Sequence, residues 1–415
     1  MIDHGKKIVL IIATLDTKGD EVLYLKKAIE KSGKCVMVLD CGLRGSPVSV
    51  NPDITRDEVV KAGGADYNSL EKAGRSLGIE VMARGVASIV RELYKDRKFD
   101  GILSIGGSDG SILGTAGMRE LPIGVPKLMV SAMASGLVTF GEYVGARDVT
   151  IMPSVVDIAG INVITKKIFD NAVGAISGMV DAGVNTRNSS NNLISMSMNG
   201  QTTACGTLGR RLLEREGFEV ITFHSRGVII EEFIEDNALA AVWDLAIDEL
   251  VNELFSKMHT GRLERLEAAG KKGIPQVIVP GCLDFIWGSP GPPDNLLTRF
   301  KNRQKYFFNP NIVLIKLKRE EIIKAGKVLS EKLNRSRGPV SLIYPLRGIS
   351  QFDKKGEEFY TPDLDALLLE VLKKNLNSRI NLVGVDGHIN DPVFAKTCIS
   401  VLVEMVKKKI RIGVL

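Results

Sequence analysis

Residues 101–111 read Gly-Ile-Leu-Ser-Ile-Gly-Gly-Ser-Asp-Gly-Ser. An apolar run, Gly101–Ile105, ends at once in small polar turn residues, and a helical pattern fills Ser111–Arg119. A strand that empties into a glycine turn and then a helix is the repeating unit of parallel α/β sheets. The same rhythm extends to both sides. Strands are expected at Ile8–Ala13, Cys35–Leu39, Lys127–Ser131 and Val149–Met152, and helices at Asp20–Ser32, Thr55–Ala62, Leu70–Lys95 and Val163–Ala182. Thr55 followed by Glu58 is a capping box with Thr55 as the N-cap. The strands are continuously apolar instead of alternating, which marks a parallel sheet covered on both faces.

Residues 183–192, GVNTRNSSNN, are the most polar stretch, and no apolar periodicity crosses them. A domain boundary is placed there, giving domains 1–187 and 188–415. The rhythm then restarts. Strands are expected at Leu193–Met198, Glu219–Phe223, Ala240–Trp243, Gln276–Val279, Ile312–Leu317, Ser341–Ile343 and Asn381–Val385. Helices include Thr207–Glu216, Ile247–Lys257, Arg262–Ala269, Arg319–Leu333, Leu364–Asn375 and Asp391–Lys408, and Asp284–Asn295 reads as an ordered loop. The expected fold is α/β: two tandem Rossmann-like domains, each a mostly parallel sheet with helices on both faces.

Composition narrows the function. The chain has 415 residues, 44% hydrophobic and 25% charged, as globular proteins do. Its 55 Lys and Arg against 49 Asp and Glu leave a net charge of +6, too mild for a dedicated nucleic-acid binder but compatible with an anionic small ligand. The five cysteines are odd in number and have no CxxC spacing, which argues against a disulfide framework and for a reducing, cytoplasmic setting. No apolar stretch is long enough for a membrane span, so no membrane partner is expected.

Ligands of open α/β sheets bind beyond the carboxyl ends of the strands, so candidate residues are sought there. After the first strand come Thr14, Asp16, Thr17 and Lys18: hydroxyls, an amine and a helix start that suit phosphate. Asp40, ending the second strand, stands where dinucleotide sites hold a ribose hydroxyl. Gly106, Gly107, Ser108, Gly110 and Ser111 permit close backbone approach to an anion, and Asp109 is the candidate metal ligand for Mg2+. Ser135 and Gly136 follow the fourth strand. Asn162, in the run PSVVDIAGIN at Pro153–Asn162, reads most simply as the N-cap of the next helix. In the second domain His224, His388 and Asp391 follow strands and are acid–base or substrate candidates, with Asp391 before Pro392 equally suited to an N-cap. The two histidines are expected to face one cleft.

Taken together, the Thr14–Lys18 turn, LSIGGSDGS at Leu103–Ser111, LPIGVPKLMVSAMASG at Leu121–Gly136 and PSVVDIAGIN resemble the ATP-binding domain family of the plant tobamovirus-resistance protein and its bacterial relatives. FHSRG at Phe223–Gly227, LRGIS at Leu346–Ser350 and HIND at His388–Asp391 extend the resemblance through the second domain. The resemblance implies ATP bound by the first domain, and homodimers; the antiviral role is not carried over. The expectation is an ATP- and Mg2+-binding protein, read as an ATP-dependent enzyme acting on a small polar, anionic metabolite at an interdomain cleft. The alternative is a non-catalytic nucleotide-sensing or scaffold dimer.

Overall fold

A computed structural model describes residues 6–66, 74–134, 141–183, 192–225, 227–256 and 264–411. The chain forms two compact units, Met1–Arg187 and Asn188–Leu415.

The first unit is a five-stranded sheet: β1 (Ile8–Ala13), β2 (Cys35–Asp40), β3 (Gly101–Gly106), β4 (Lys127–Ser131) and β5 (Thr150–Pro153). The order is β2-β1-β3-β4-β5 and every pairing is parallel. The helices are α1 (Leu15–Lys31), α2 (Arg56–Ala62), α3 (Arg75–Lys95), α4 (Ser108–Arg119), α5 (Gly141–Val144) and α6 (Val163–Ala182). The Thr55–Glu58 capping box opens α2, with the Glu58 carboxylate 2.7 Å from the Thr55 N–H. Successive strand residues point to opposite faces. Val9, Ile11 and Ile105 therefore pack with α1 and α6 on one side, while Leu10, Ile12 and Ile102 pack with α2, α3 and α4 on the other. Both faces are buried, which is why the strands read as unbroken apolar runs.

The second unit has a six-stranded parallel sheet: β6 (Leu193–Met198), β7 (Glu219–His224), β8 (Ala241–Asp244), β9 (Gln276–Ile278), β13 (Val340–Pro345) and β14 (Asn381–Val385), ordered β14-β13-β9-β8-β6-β7. Between β9 and β13 lies a separate antiparallel sheet, β10 (Phe285–Gly288), β11 (Lys305–Asn309) and β12 (Ile312–Lys316), ordered β10-β12-β11. This corrects the expectation that Ile312–Leu317 continues the main sheet and that Asp284–Asn295 is all loop. Only Pro310 and Asn311 separate β11 from β12, and so short a link enforces antiparallel pairing. The helices are α7 (Thr203–Arg215), α8 (Gly227–Asp236), α9 (Asp248–Val251), α10 (Ala268–Lys271), α11 (Leu296–Arg299), α12 (Arg319–Asn334), α13 (Pro362–Asn375) and α14 (Pro392–Arg411). The helix expected over Ile247–Lys257 is instead the short α9 followed by a π-helical turn, Asn252–Ser256. Of the one expected over Arg262–Ala269, residues 262 and 263 lie outside the described residues, and among the described ones the helix begins only at Ala268, with α10. Among the described residues, no helix is long and apolar enough to cross a membrane.

Candidate functional site

In the first unit the chain runs from β1 to β2 on one side and from β3 to β5 on the other. The order of connection therefore reverses between β1 and β3, where a crevice forms at the carboxyl ends. A cavity of about 360 Å³ lies there, of a size that holds small ligands. Thr14, Asp16, Thr17 and Lys18 line it from the β1 side, and Gly107, Ser108, Asp109 and Gly110 from the β3 side. The two strand ends that sequence pattern singled out thus share one cavity.

The glycine turn has two kinds of glycine. A Cβ on Gly106 would meet the Gly110 Cα at 2.6 Å, so these two glycines bring α4 against β3. A Cβ on Gly107 would meet nothing within 4 Å, and its φ is −84°. That φ is open to any residue, so Gly107 matters for space, not for backbone strain. Gly107 is the N-cap of α4 and carries no side chain to cap it. Ser111 N–H bonds to the Gly107 carbonyl, while among the described residues the N–H groups of Ser108, Asp109 and Gly110 have no acceptor. Open N–H donors at the positive end of a 12-residue helix are of the kind that can receive an anion.

The β1 turn is more self-contained. Thr17 and Lys18 N–H groups return to the Thr14 carbonyl, and the Thr14 and Thr17 hydroxyls lie 3.0 Å apart. The Lys18 Nζ reaches the Ile158 carbonyl at 2.5 Å. Glu21 accepts the Gly160 N–H at 2.6 Å, so the segment after β5 grips the start of α1. Asp16 accepts the Arg44 N–H through Oδ2 at 3.1 Å, while its Oδ1 is buried without a partner among the described residues. Asp109 is held by Arg75, whose Nη2 is 2.6 Å from Oδ2.

Other candidates take structural roles. Asp40 is 1% exposed, does not line the cavity, and accepts the N–H groups of Leu15 at 3.0 Å and Gly42 at 2.9 Å. Burial raises its pKa against those two bonds. The ribose contact expected of Asp40 is therefore corrected: its carboxylate fastens β2 to the start of α1. Ser111 is buried, its hydroxyl 2.7 Å from that of Ser131, and so joins α4 to β4 instead of facing a ligand. Asn162 caps α6, accepting the Ile164 and Thr165 N–H groups. Ser135 and Gly136 lie outside the described residues.

Two basic residues not anticipated from the sequence, Arg44 and Arg75, line the same cavity. Arg44 follows β2 by four residues, and reading further along that loop finds it. Arg75 opens α3, away from any strand end, and nothing in the sequence marks it.

In the second unit the strand ends bond to one another. Asp248 accepts the Asn199 Nδ2 at 2.9 Å and the Trp287 Nε1 at 2.7 Å. Arg265, 3% exposed, reaches Asp244 at 2.5 Å, Glu249 at 2.7 Å and Glu231 at 3.0 Å. Three carboxylates around one buried guanidinium leave an excess of negative charge, and burial pushes the Glu249 pKa up to about 7 against the pull of Arg265. His388 is 5% exposed; its Nε2 lies 2.8 Å from the Ser350 carbonyl and its Nδ1 accepts the Asn390 N–H. Both ring nitrogens are engaged. Asp391 accepts the His388 N–H at 2.8 Å and directly precedes α14, with Pro392 at its first position. His224 is exposed at the end of β7. β7 and β14 are the outermost strands on opposite flanks of the six-stranded sheet. Five strand spacings separate them, roughly 24 Å. The shared cleft for His224 and His388 is thus corrected: parallel strands put both at one end of the sheet, but strand order keeps them apart. Among the described residues no cluster of three or more His, Cys, Asp or Glu is arranged to hold a metal ion.

The parallel sheet, with its crevice at the β1/β3 reversal lined by helix N–H donors and basic side chains, defines the first unit as an α/β module. Residues 7–185 match the model described as "Uncharacterised protein family (UPF0261) N-terminal domain" and residues 191–406 match its C-terminal domain. The chain belongs to the UPF0261 family. A UPF0261 protein of Clostridium tetani is 38% identical over 407 residues, covering 97% of this chain and 100% of the relative. One of Rhizobium meliloti is 32% identical over 401 residues, covering 95% and 98%. The ToMV resistance protein Tm-1(GCR237) of Solanum lycopersicum is 29% identical over 426 residues, covering 96% of this chain but 56% of that protein. Among solved structures, UDP-N-acetylglucosamine 2-epimerase from Rickettsia bellii aligns over 98% of both chains at 9% identity and a TM-score of 0.24, a likeness too weak to carry an argument.

Proposed function

We propose that the first unit is a nucleotide-binding module that takes the phosphates of ATP at the start of α4. One observation carries the reading: the Ser108, Asp109 and Gly110 N–H groups open on a cavity whose other walls hold Lys18, Arg44 and Arg75. Donors and positive charge converge there, as a polyphosphate requires. The family resemblance carried by the same turns supports ATP in particular.

Magnesium fits the donor set. Mg2+ commonly takes one or two carboxylates and completes its shell with phosphate oxygens and water. Asp16, with its unpartnered Oδ1, and Asp109 both line the cavity. Bound there, the ion would neutralise phosphate charge. Asp109 would hold the ion in place of Arg75, and Arg75 would then be available to phosphate.

The engagement of both His388 nitrogens favours the reading of a nucleotide-responsive binding protein over acid–base catalysis by this residue. Five free thiols suit a reducing, cytoplasmic setting. The test is a thermal shift of the full chain. ATP with Mg2+ should raise the melting temperature and AMP should raise it much less; equal shifts with both would show that the phosphates are not the part held.

A further inference from the structure

One group of basic residues of the second unit gathers at the amino-terminal edge of its main sheet, around the starts of β13 and β14 and along α14. Two cavities lie there. One, of about 860 Å³, runs between the end of α7 and one face of α14. The other, of about 680 Å³, lies beside the starts of β13 and β14 and the adjoining face of α14. They share Glu404 and Lys408, so they lie side by side along α14 and together form a basic groove region. Nine basic and two acidic side chains line it, a surplus of seven positive charges. The whole chain carries +6, so this groove holds as much excess charge as the entire protein.

Helix ends explain part of this. Arg215, Lys408 and Arg411 sit in last turns, where cations favour the helix dipole. That account does not reach Arg337, in the loop before β13, or Lys396, in the second turn of α14. Among the described residues Arg215, Arg337, Lys396, Lys408 and Arg411 have no carboxylate partner. Between the cations the floor is apolar: Leu212, Ile399 and Val403 in one cavity, Val340, Val401 and Met405 in the other.

We propose that this groove docks an acidic amphipathic helix of a partner protein. The lining of α14 recurs at Lys396, Ile399, Val403, Lys407 and Arg411, one helical face. From Lys396 to Arg411 this face extends about 22 Å, the length of a helix of about 16 residues laid alongside. The apolar floor takes its apolar stripe and the basic rim its flanking carboxylates, the helix-in-groove mode of recognition. Neither cavity is lined by an aromatic side chain among the described residues, so the stacking platform that holds a single-stranded nucleic acid is missing.

The test is fluorescence anisotropy of the full chain. The probe is a labelled peptide of about 16 residues with Leu at helical i, i+3, i+4 and i+7 spacing and Glu elsewhere. Controls are the same residues in scrambled order, an all-Glu peptide and a short DNA duplex. The amphipathic peptide should bind saturably and at least about tenfold tighter than either control peptide. Arg337→Glu with Lys408→Glu, both exposed positions, should weaken it about tenfold, and Leu212→Ser, which alters the floor alone, several-fold. Equal binding of the scrambled or all-Glu peptide, or no saturable binding, would overturn the proposal. DNA binding tighter than the peptide and untouched by Leu212→Ser would overturn it too, and would reassign the groove to nucleic acid.

Discussion

Arg75 and Asp109 close on each other within the cavity of the first unit, the Arg75 Nε at 3.1 Å and Nη2 at 2.6 Å from the same carboxylate oxygen. Arg75 is mostly exposed, so the pair contributes little to stability, on the order of 0–1 kcal/mol. Its weight falls on binding. Arg75→Ala should leave the melting temperature nearly unchanged and weaken ATP about tenfold, read by calorimetric titration. Wild-type affinity in Arg75→Ala would remove this residue from the site.

Gly106→Ala separates packing from binding. The added Cβ would press on the Gly110 backbone at 2.6 Å, and neither strand nor helix can yield cheaply. Overpacking of this kind costs about 1–3 kcal/mol. Denaturant unfolding should record that loss, and a variant as stable as the wild type would show that the turn relaxes freely.

The Arg265 cluster makes the second unit sensitive to pH. Glu249 has a folded pKa of about 7, above its ordinary value near 4.5. The folded state therefore holds a proton that the unfolded chain has released, and stability falls as pH rises from about 5 through 7. Over that interval the loss from this group is roughly 2–3 kcal/mol. Glu249→Gln keeps the acceptor for Arg265 and should flatten the dependence. An unfolding free energy with equal slope in both proteins would contradict the assignment.

His388→Ala should destabilise the chain by about 1–3 kcal/mol, because it leaves the Ser350 carbonyl and the Asn390 N–H unpaired in a buried place. His224→Ala, at an exposed position, should change stability by less than about 0.5 kcal/mol. ATP affinity should survive both. A stable His388→Ala protein would show that the imidazole is not the fastener described.

The parallel sheets were legible because burial on both faces leaves a plain mark: Ile8–Ala13 and Gly101–Ile105 can hardly be anything but central strands. The turns after β1 and β3 were legible for the same reason, since strand ends locate themselves. What strand ends do is less visible. Asp40 and Ser111 looked like ligand contacts but spend their hydrogen bonds on backbone and on Ser131, and an isolated polar residue reads alike in both roles. His224 and His388 failed as a pair because sequence spacing carries no strand order. The β11–β12 hairpin was in view, with a two-residue link between apolar runs, but β11 itself, Lys-Tyr-Phe-Phe-Asn, is mostly exposed and lacks a buried strand's signature.

In the proposed complex the phosphates approach the backbone at Gly107. A valine there meets no protein atom at its Cβ and needs no unusual φ, so the fold should tolerate it while the side chain fills the anion's place. The direct measurement is calorimetric titration of ATP with Mg2+ into wild-type and Gly107→Val proteins of matched melting temperature. Binding should saturate in the wild type and weaken at least about 30-fold in the variant, equivalent to roughly 2 kcal/mol. Wild-type affinity in a fully folded Gly107→Val protein would contradict it.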